Sequence, residues 1–363
     1  MNLFSRISFF ILLAGLVICA SAKAQSVDYV YGIEYGEGAG AAGDTWNLDQ
    51  LAVNINAGGT ATSYTQTTLT NLTQYIANYD TTGNTNRNQT INGLALDPST
   101  NTLFFTYSYN NNSNSNNGTF FAQSYALRYN GSGFTATEIY TYSEASGAAG
   151  TAGVIGSGGA AGSTNVGAGW FTKGAFYNGS YYVGIQSTNN LVQLTLAANE
   201  NSVTTATVAT NINHSGADAS EGGDLVISAG TLYVSGANGS ASAFATETLA
   251  NAMSSSGTAW NAASSSTRSD YYQLAGLGGI PQLFGYSGNT DQFGQFTNFT
   301  NPGTTTPTFT VITGTSPVLF ADMSDGSNHS IITPEPGTVG AGIIGSLAVL
   351  AMCLRRRSRT DAL

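Results

Sequence analysis

Between Ile91 and Tyr142 the chain lays down four strands in a row, each divided from the next by residues that turn a backbone, and no other feature restricts the fold so tightly. Ile91-Asn92-Gly93-Leu94-Ala95-Leu96-Asp97 is a short, mostly apolar run bounded by a turn, the mark of a strand covered on both faces. Pro98-Ser99-Thr100-Asn101 supplies that turn, since Pro fixes φ while Ser and Asn hydrogen-bond their own backbone. Thr102-Leu103-Phe104-Phe105-Thr106-Tyr107 is the hairpin partner. An Asn/Ser stretch from Asn110 to Asn117 leads to a third strand, Thr119 to Tyr129, and Asn130-Gly131-Ser132-Gly133 turns into a fourth, Phe134 to Tyr142. Four strands joined in order over about fifty residues make a unit that cannot bury both its faces alone and needs neighbours of its own kind.

The neighbours are present. Gly169 to Phe176, Ser180 to Ile185, Asn190 to Leu196 and Val203 to Thr210 repeat the pattern, with Asn178-Gly179 as the first turn. Gly223 to Ser228 passes Ala229-Gly230 into Thr231 to Ser235 and continues through Ala243 to Leu249. Leu274 to Ile280, Gln282 to Tyr286, Asp291 to Phe296 and Thr308 to Ile312 form a further unit. Three strands remain at the start, Tyr29 to Tyr35, Leu48 to Asn56 and Thr62 to Leu72, and one at the end, Val318 to Met323. Pairing the last strand with the first three makes one more unit from both ends of the chain and removes free sheet edges. The expected fold is therefore all-β, a β-propeller of about five four-stranded blades over residues 25–330. The body resembles bacterial propeller proteins in general, without a named family. A β-sandwich is the alternative that the same alternation permits.

The two ends differ from this body. Met1 to Ala24 has a basic Arg6, an apolar core from Ile7 to Ala20 and a small-x-small site at Ala22-Lys23-Ala24, which reads as a secretory signal peptide (1–24) cut before Gln25. Cys19 would be the modified residue of a lipoprotein, but Ile18 stands where such a site needs a small residue. At the other end Pro334-Glu335-Pro336 precedes an uncharged apolar stretch, 337–354, and then Arg355-Arg356-Arg357-Ser358-Arg359. As a helix, 337–354 would be about 27 Å long, close to the thickness of a bilayer core. The arginines would stay on the cytoplasmic side, leaving all that precedes Pro334 outside.

This tripartite tail, 331–363, resembles the PEP-CTERM sorting signal of bacterial envelope proteins. The resemblance covers only about thirty residues and rests on the order of the three parts. It implies an exosortase-type membrane protease as processing partner, anchoring by the helix until cleavage, and delivery to the cell surface or extracellular matrix. A plain C-terminal membrane anchor is the simpler reading of the same residues.

Removing both ends sharpens the composition. Cys19 and Cys353 leave with them, so the exported body has no thiol for a disulfide, a zinc site or a nucleophile. It keeps four basic residues, Arg87, Arg128, Lys173 and Arg268, against eighteen acidic ones, a formal charge of −14. Such a surface repels phosphate backbones and argues against nucleic acid as a partner. Abundant Tyr, Val and Thr with little Glu, Lys or Arg favours strands over helices.

Signals for chemistry are sparse. His214 and His329 have no partner at metal-motif spacing, and no Gly-x-Ser-x-Gly elbow marks a nucleophilic serine. No catalytic residue is assigned. The densest polar stretch is His214 to Asp224, where Asp218, Glu221 and Asp224 on a glycine-rich loop offer oxygen ligands of the kind calcium accepts. Asp44 to Asp49 and Asp322 to Gly326 are smaller acidic clusters of the same type. Carboxylates and Gly in such loops also serve simply as turn formers. Gly38-Ala39-Gly40-Ala41-Ala42-Gly43 matches Gly-x-Gly-x-x-Gly but opens no helix, so it does not read as a nucleotide site, and Gly147 to Gly169 reads as a connection. Trp46, Trp170, Trp260, Tyr181-Tyr182 and Tyr271-Tyr272 could stack on sugar rings if exposed, or fill space between blades. The expected function is an exported surface or matrix protein that binds or organises extracellular polysaccharide. A propeller enzyme acting on polysaccharide (lyase, lactonase or glycosidase) and an adhesin for protein partners are the alternatives.

Overall fold

The computed structural model describes residues 26–35, 46–73, 87–111, 119–130, 134–145, 154–155, 164–165, 171–185, 190–200, 203–209, 224–238, 241–254, 261–265, 272–277, 280–287, 290–302, 304–305, 307–314 and 320–327. The expected signal peptide (1–24) and sorting tail (331–363), the glycine stretch 38–43, Asp44, Asp218, Glu221, His214 and His329 lie outside them.

The first three strands, β1 (Ser26–Tyr35), β2 (Trp46–Ile55) and β3 (Ala61–Asn71), form a meander, and the last strand of the chain, β22 (Phe320–Ser327), pairs antiparallel with β1. The expected joining of the two ends of the chain in one sheet is therefore present. The strand expected at Val318 to Met323 begins two residues later and runs four further.

A second sheet holds β4 (Arg87–Asp97), β5 (Thr102–Asn111), β6 (Thr119–Tyr129), β7 (Phe134–Ala145), β8 (Val154–Ile155) and β9 (Thr164–Asn165) in that order. The two short last strands fall where only a connection was expected. A third has β10 (Phe171–Tyr177), β11 (Ser180–Ile185), β12 (Asn190–Leu196) and β13 (Val203–Ala209). A fourth has β14 (Leu225–Ser228), β15 (Thr231–Asn238), β16 (Ala241–Thr248) and β17 (Asn261–Ser265), with a short helix α1 (Leu249–Met253) capped by the Thr248 side chain. The fifth group is β18 (Tyr272–Leu277), β19 (Ile280–Ser287), β20 (Gln292–Thr297) and β21 (Thr308–Val311), tied to the first sheet by one parallel pair, Leu277 and Gly326. Among the described residues no helix is long and apolar enough to cross a membrane.

Local sequence explains the tight connections. Asn178-Gly179 and Ala229-Gly230 both have positive φ at each residue, the geometry of a two-residue hairpin that follows strand twist. Asp97 fixes the turn after β4, its Oδ1 accepting from the Ser99 N–H at 2.8 Å and its Oδ2 from the Ser99 hydroxyl at 3.0 Å.

Neighbouring residues of one strand feed different cores. Tyr181 and Val183 pack with Ala95, Phe104 and Phe176, between the second and third sheets. Tyr182, between them in sequence, joins Leu225, Ile227 and Leu232, between the third and fourth. Val226 turns the other way, to Tyr272, Leu274 and Phe296 of the fifth. Phe284 and Phe293 of the fifth pack on Val30, Leu51 and Val53 of the first. The first strands of the sheets are neighbours in sequence order: β4 lies beside β10, β10 beside β14, β14 beside β18, and β22 lies beside both β18 and β4.

Candidate functional site

Gly93, Lys173, Asp224 and Gln273 each stand four positions before Asp97, Tyr177, Ser228 and Leu277, the last residues of the stretches that open their sheets. Lys173, Asp224 and Gln273 are 2%, 0% and 6% exposed. Burying charge and amide groups in a strand-rich interior costs several kcal/mol unless each is held by partners.

Asp224 is held by main chain. Its Oδ1 accepts from its neighbour's N–H, Leu225, at 2.7 Å, and its Oδ2 from the Leu274 N–H of β18 at 3.1 Å. Its own N–H and carbonyl pair with Ser235 of β15. The Ser235 hydroxyl accepts from the Tyr272 N–H at 3.2 Å, and its carbonyl accepts from Lys173 Nζ of β10 at 3.3 Å. One peptide group thus takes both the Asp224 N–H and the Lys173 ammonium. The arrangement binds the third, fourth and fifth sheets together. On the other side, the Tyr181 hydroxyl donates to the Gly93 carbonyl, and the Thr106 hydroxyl donates to the Asn92 carbonyl at 2.7 Å.

Of the three residues expected to offer calcium ligands, then, Asp224 is a tie between strands; Asp218 and Glu221 lie outside the described residues. Asp322 pairs opposite Ile33 in β22. Lys173 was not singled out beforehand, although its signal was legible: it is the sole lysine between residues 25 and 333 and sits in an apolar strand. Among the described residues no group of three or more His, Cys, Asp or Glu side chains gathers where it could hold a metal ion. Of the aromatics considered as sugar platforms, Trp46, Tyr181, Tyr182 and Tyr272 are buried in the cores, and Trp170, Trp260 and Tyr271 lie outside the described residues. Tyr272 meets Phe296 edge to face at 4.9 Å.

Two acid pairs lie elsewhere. On the first sheet Asp49 is 0% exposed and faces Glu34. Burial pushes its carboxyl up to about 6, with Glu34 adding to the rise while Thr68 and Gln66 oppose it. Between the second and third sheets, Thr100 Oγ1 lies 3.1 Å from both Asp97 Oδ2 and Glu200 Oε1. Burial, then Asp97, pushes Glu200 up to about 7. Arg128, 7% exposed, donates through Nη1 to the Asn199 carbonyl at 3.4 Å, and burial lowers its pKa while Glu200 opposes.

These raised values set a pH dependence. An unfolded carboxyl titrates near about 4, so the folded chain holds protons that the unfolded chain has lost between there and about 6 to 7. Stability from these groups is present at low pH and is lost as pH rises through the folded values. We expect a higher urea midpoint at pH 5 than at pH 7.5, with Asp49 supplying about 1 kcal/mol of the difference. Asp49→Asn combined with Glu200→Gln should flatten the profile; an unchanged slope in that variant would refute the assignment.

No protein-family model matches the sequence, and no curated protein matches it. Among solved structures, a luciferin-regenerating enzyme is similar at 12% identity over 71% of this chain and 70% of that one, with a TM-score of 0.36.

Proposed function

We propose that the body is a five-bladed β-propeller whose first blade is built from β22, β1, β2 and β3, and that the protein is exported, sorted through its C-terminal tail and binds extracellular polysaccharide. The cyclic order in which β4, β10, β14, β18 and β22 neighbour one another supports the propeller.

One observation carries the binding reading. In each sheet the connections alternate between two ends. Turns such as 98–101, 178–179 and 229–230 leave the end of the sheet's opening strand, whereas 74–86, 166–170 and 210–223 enter at its start. In a propeller these entering segments share one face. They are rich in Asn, Ser, Thr and Gly and poor in charge, a chemistry of amide and hydroxyl groups suited to the hydroxyls of a neutral or mildly charged glycan. The polar residues at the centre, by contrast, hold strands together, which favours a binder over an enzyme.

The test is to incubate the chain from Gln25 to Thr333 with the producing organism's extracellular polysaccharide, following protein retention and polymer length together. Retention without shortening is the expected result. Shortening would make the protein an enzyme, and neither would end the polysaccharide reading. The sorting reading is tested separately in the full chain. Replacing Pro334 and Pro336, or deleting 355–359, should abolish tail removal, and unaltered processing and location would reduce the tail to an anchor.

A further inference from the structure

We propose that Glu34, Asp49 and Gln66 form a calcium site on the face of the first sheet that turns toward the fifth. Register brings them together. Asp49 is paired with Gly32, and Glu34 with Asn47, so the two acids are diagonal neighbours across β1 and β2 on one face. A bulge between Leu48 and Asp49 sets Asp49 opposite Thr68, two residues beyond Gln66 on that face of β3. Gly32 adds no side chain between the acids, and the Phe320 ring covers it so closely that a Cβ there would meet the ring.

The hydrogen bonds occupy one oxygen of each acid. Asn47 Nδ2 donates to Glu34 Oε2 at 3.0 Å, and Gln66 Nε2 donates to Asp49 Oδ2 at 2.9 Å. Thr68 as well as Gln66 acts on the Asp49 carboxylate, yet Asp49 Oδ1 and Gln66 Oε1 are buried atoms with no hydrogen-bond partner within reach. A fully buried carboxylate with one oxygen unsatisfied, beside a second carboxylate and an unsatisfied amide oxygen, is unfavourable without a positive charge to meet it. Glu34 is part-exposed, so an ion has a route in. The donor set is all oxygen, with no His or Cys, and mixes carboxylate with amide, which suits the irregular shell of Ca²⁺ better than the octahedron of Mg²⁺. Water would complete the shell. The inference stands independently of polymer binding.

Titration of the full chain with CaCl₂ by calorimetry, and melting curves in calcium against chelator, test it. We expect one site and a melting temperature raised by about 2–5 °C at ten times Kd. Mg²⁺ at the same concentration should give much less. Glu34→Gln and Asp49→Asn should each remove the shift, while Glu247→Gln on the fourth sheet should keep it. Should Asp49→Asn fail to fold, Glu34→Gln alone decides. No calcium heat and no shift in the wild type, or a shift that survives Glu34→Gln intact, would overturn the proposal.

Discussion

Alanine at Gly174 is expected to leave no folded protein. A Cβ there would lie 2.0 Å from the Gly93 carbonyl oxygen, 2.3 Å from its carbon and 2.6 Å from its Cα, all main-chain atoms of the neighbouring sheet. Neither strand can step aside. Gly93 already has a φ of +70°, and its carbonyl is the acceptor of the buried Tyr181 hydroxyl. Ordinary overpacking costs about 1–3 kcal/mol because side chains yield, and here there is only backbone to move. Gly179→Ala is the comparison: nothing lies within 4 Å of its Cβ, and only a φ of +74° opposes it, a penalty of about 1–2 kcal/mol. Circular dichroism and melting of both variants decide the matter, and a native-like melt for Gly174→Ala would mean that β4 and β10 are not in this contact.

Asp224→Ala should cost about 3–5 kcal/mol, read as a fall in the urea midpoint. It strips the Leu225 N–H of its side-chain acceptor and removes the acceptor of the Leu274 N–H. Asp224→Asn should lose less, because an amide oxygen still serves one of the two N–H groups. If Asp224 and Lys173 offset each other's charge, Lys173→Met should lower the cost of Asp224→Ala in a double-mutant cycle. Additive losses would separate the two residues, and a loss under about 1 kcal/mol for Asp224→Ala would remove its role as a tie.

How much of this was legible depended on whether the information was local. The hairpins were visible because Asn178-Gly179 and Asp97 to Asn101 carry their turn chemistry within a few residues. β17 was missed since Asn261-Ala262-Ala263-Ser264-Ser265 has no large apolar residue and is held to β16 by main-chain pairing. The acid pairs were invisible for another reason. Glu34 reads as one more residue of an alternating strand and Asp49 as part of a turn cluster, and only the register across β1 and β2 joins them. Asp97 and Glu200 meet from different sheets, a hundred positions apart. Aromatic residues left two readings open: Tyr181-Tyr182 looks the same in sequence whether the rings face a ligand or two adjoining cores, and both rings are in the cores.

The pairing of β22 with β1 has a consequence for the life of the chain. β1 emerges first and its partner almost last, with about 285 residues between them, which at typical synthesis rates is a delay on the order of 15–60 s. Throughout that interval one edge of β1 is without its strand, an open template for pairing with any other extended segment. The intervening sheets can assemble one upon another as they appear, yet the completed protein waits on Phe320 to Ser327. A chain cut short before Phe320 therefore keeps most of its sequence and forfeits the lock. It should accumulate as an aggregation-prone species that a holdase, rather than a foldase, would keep soluble.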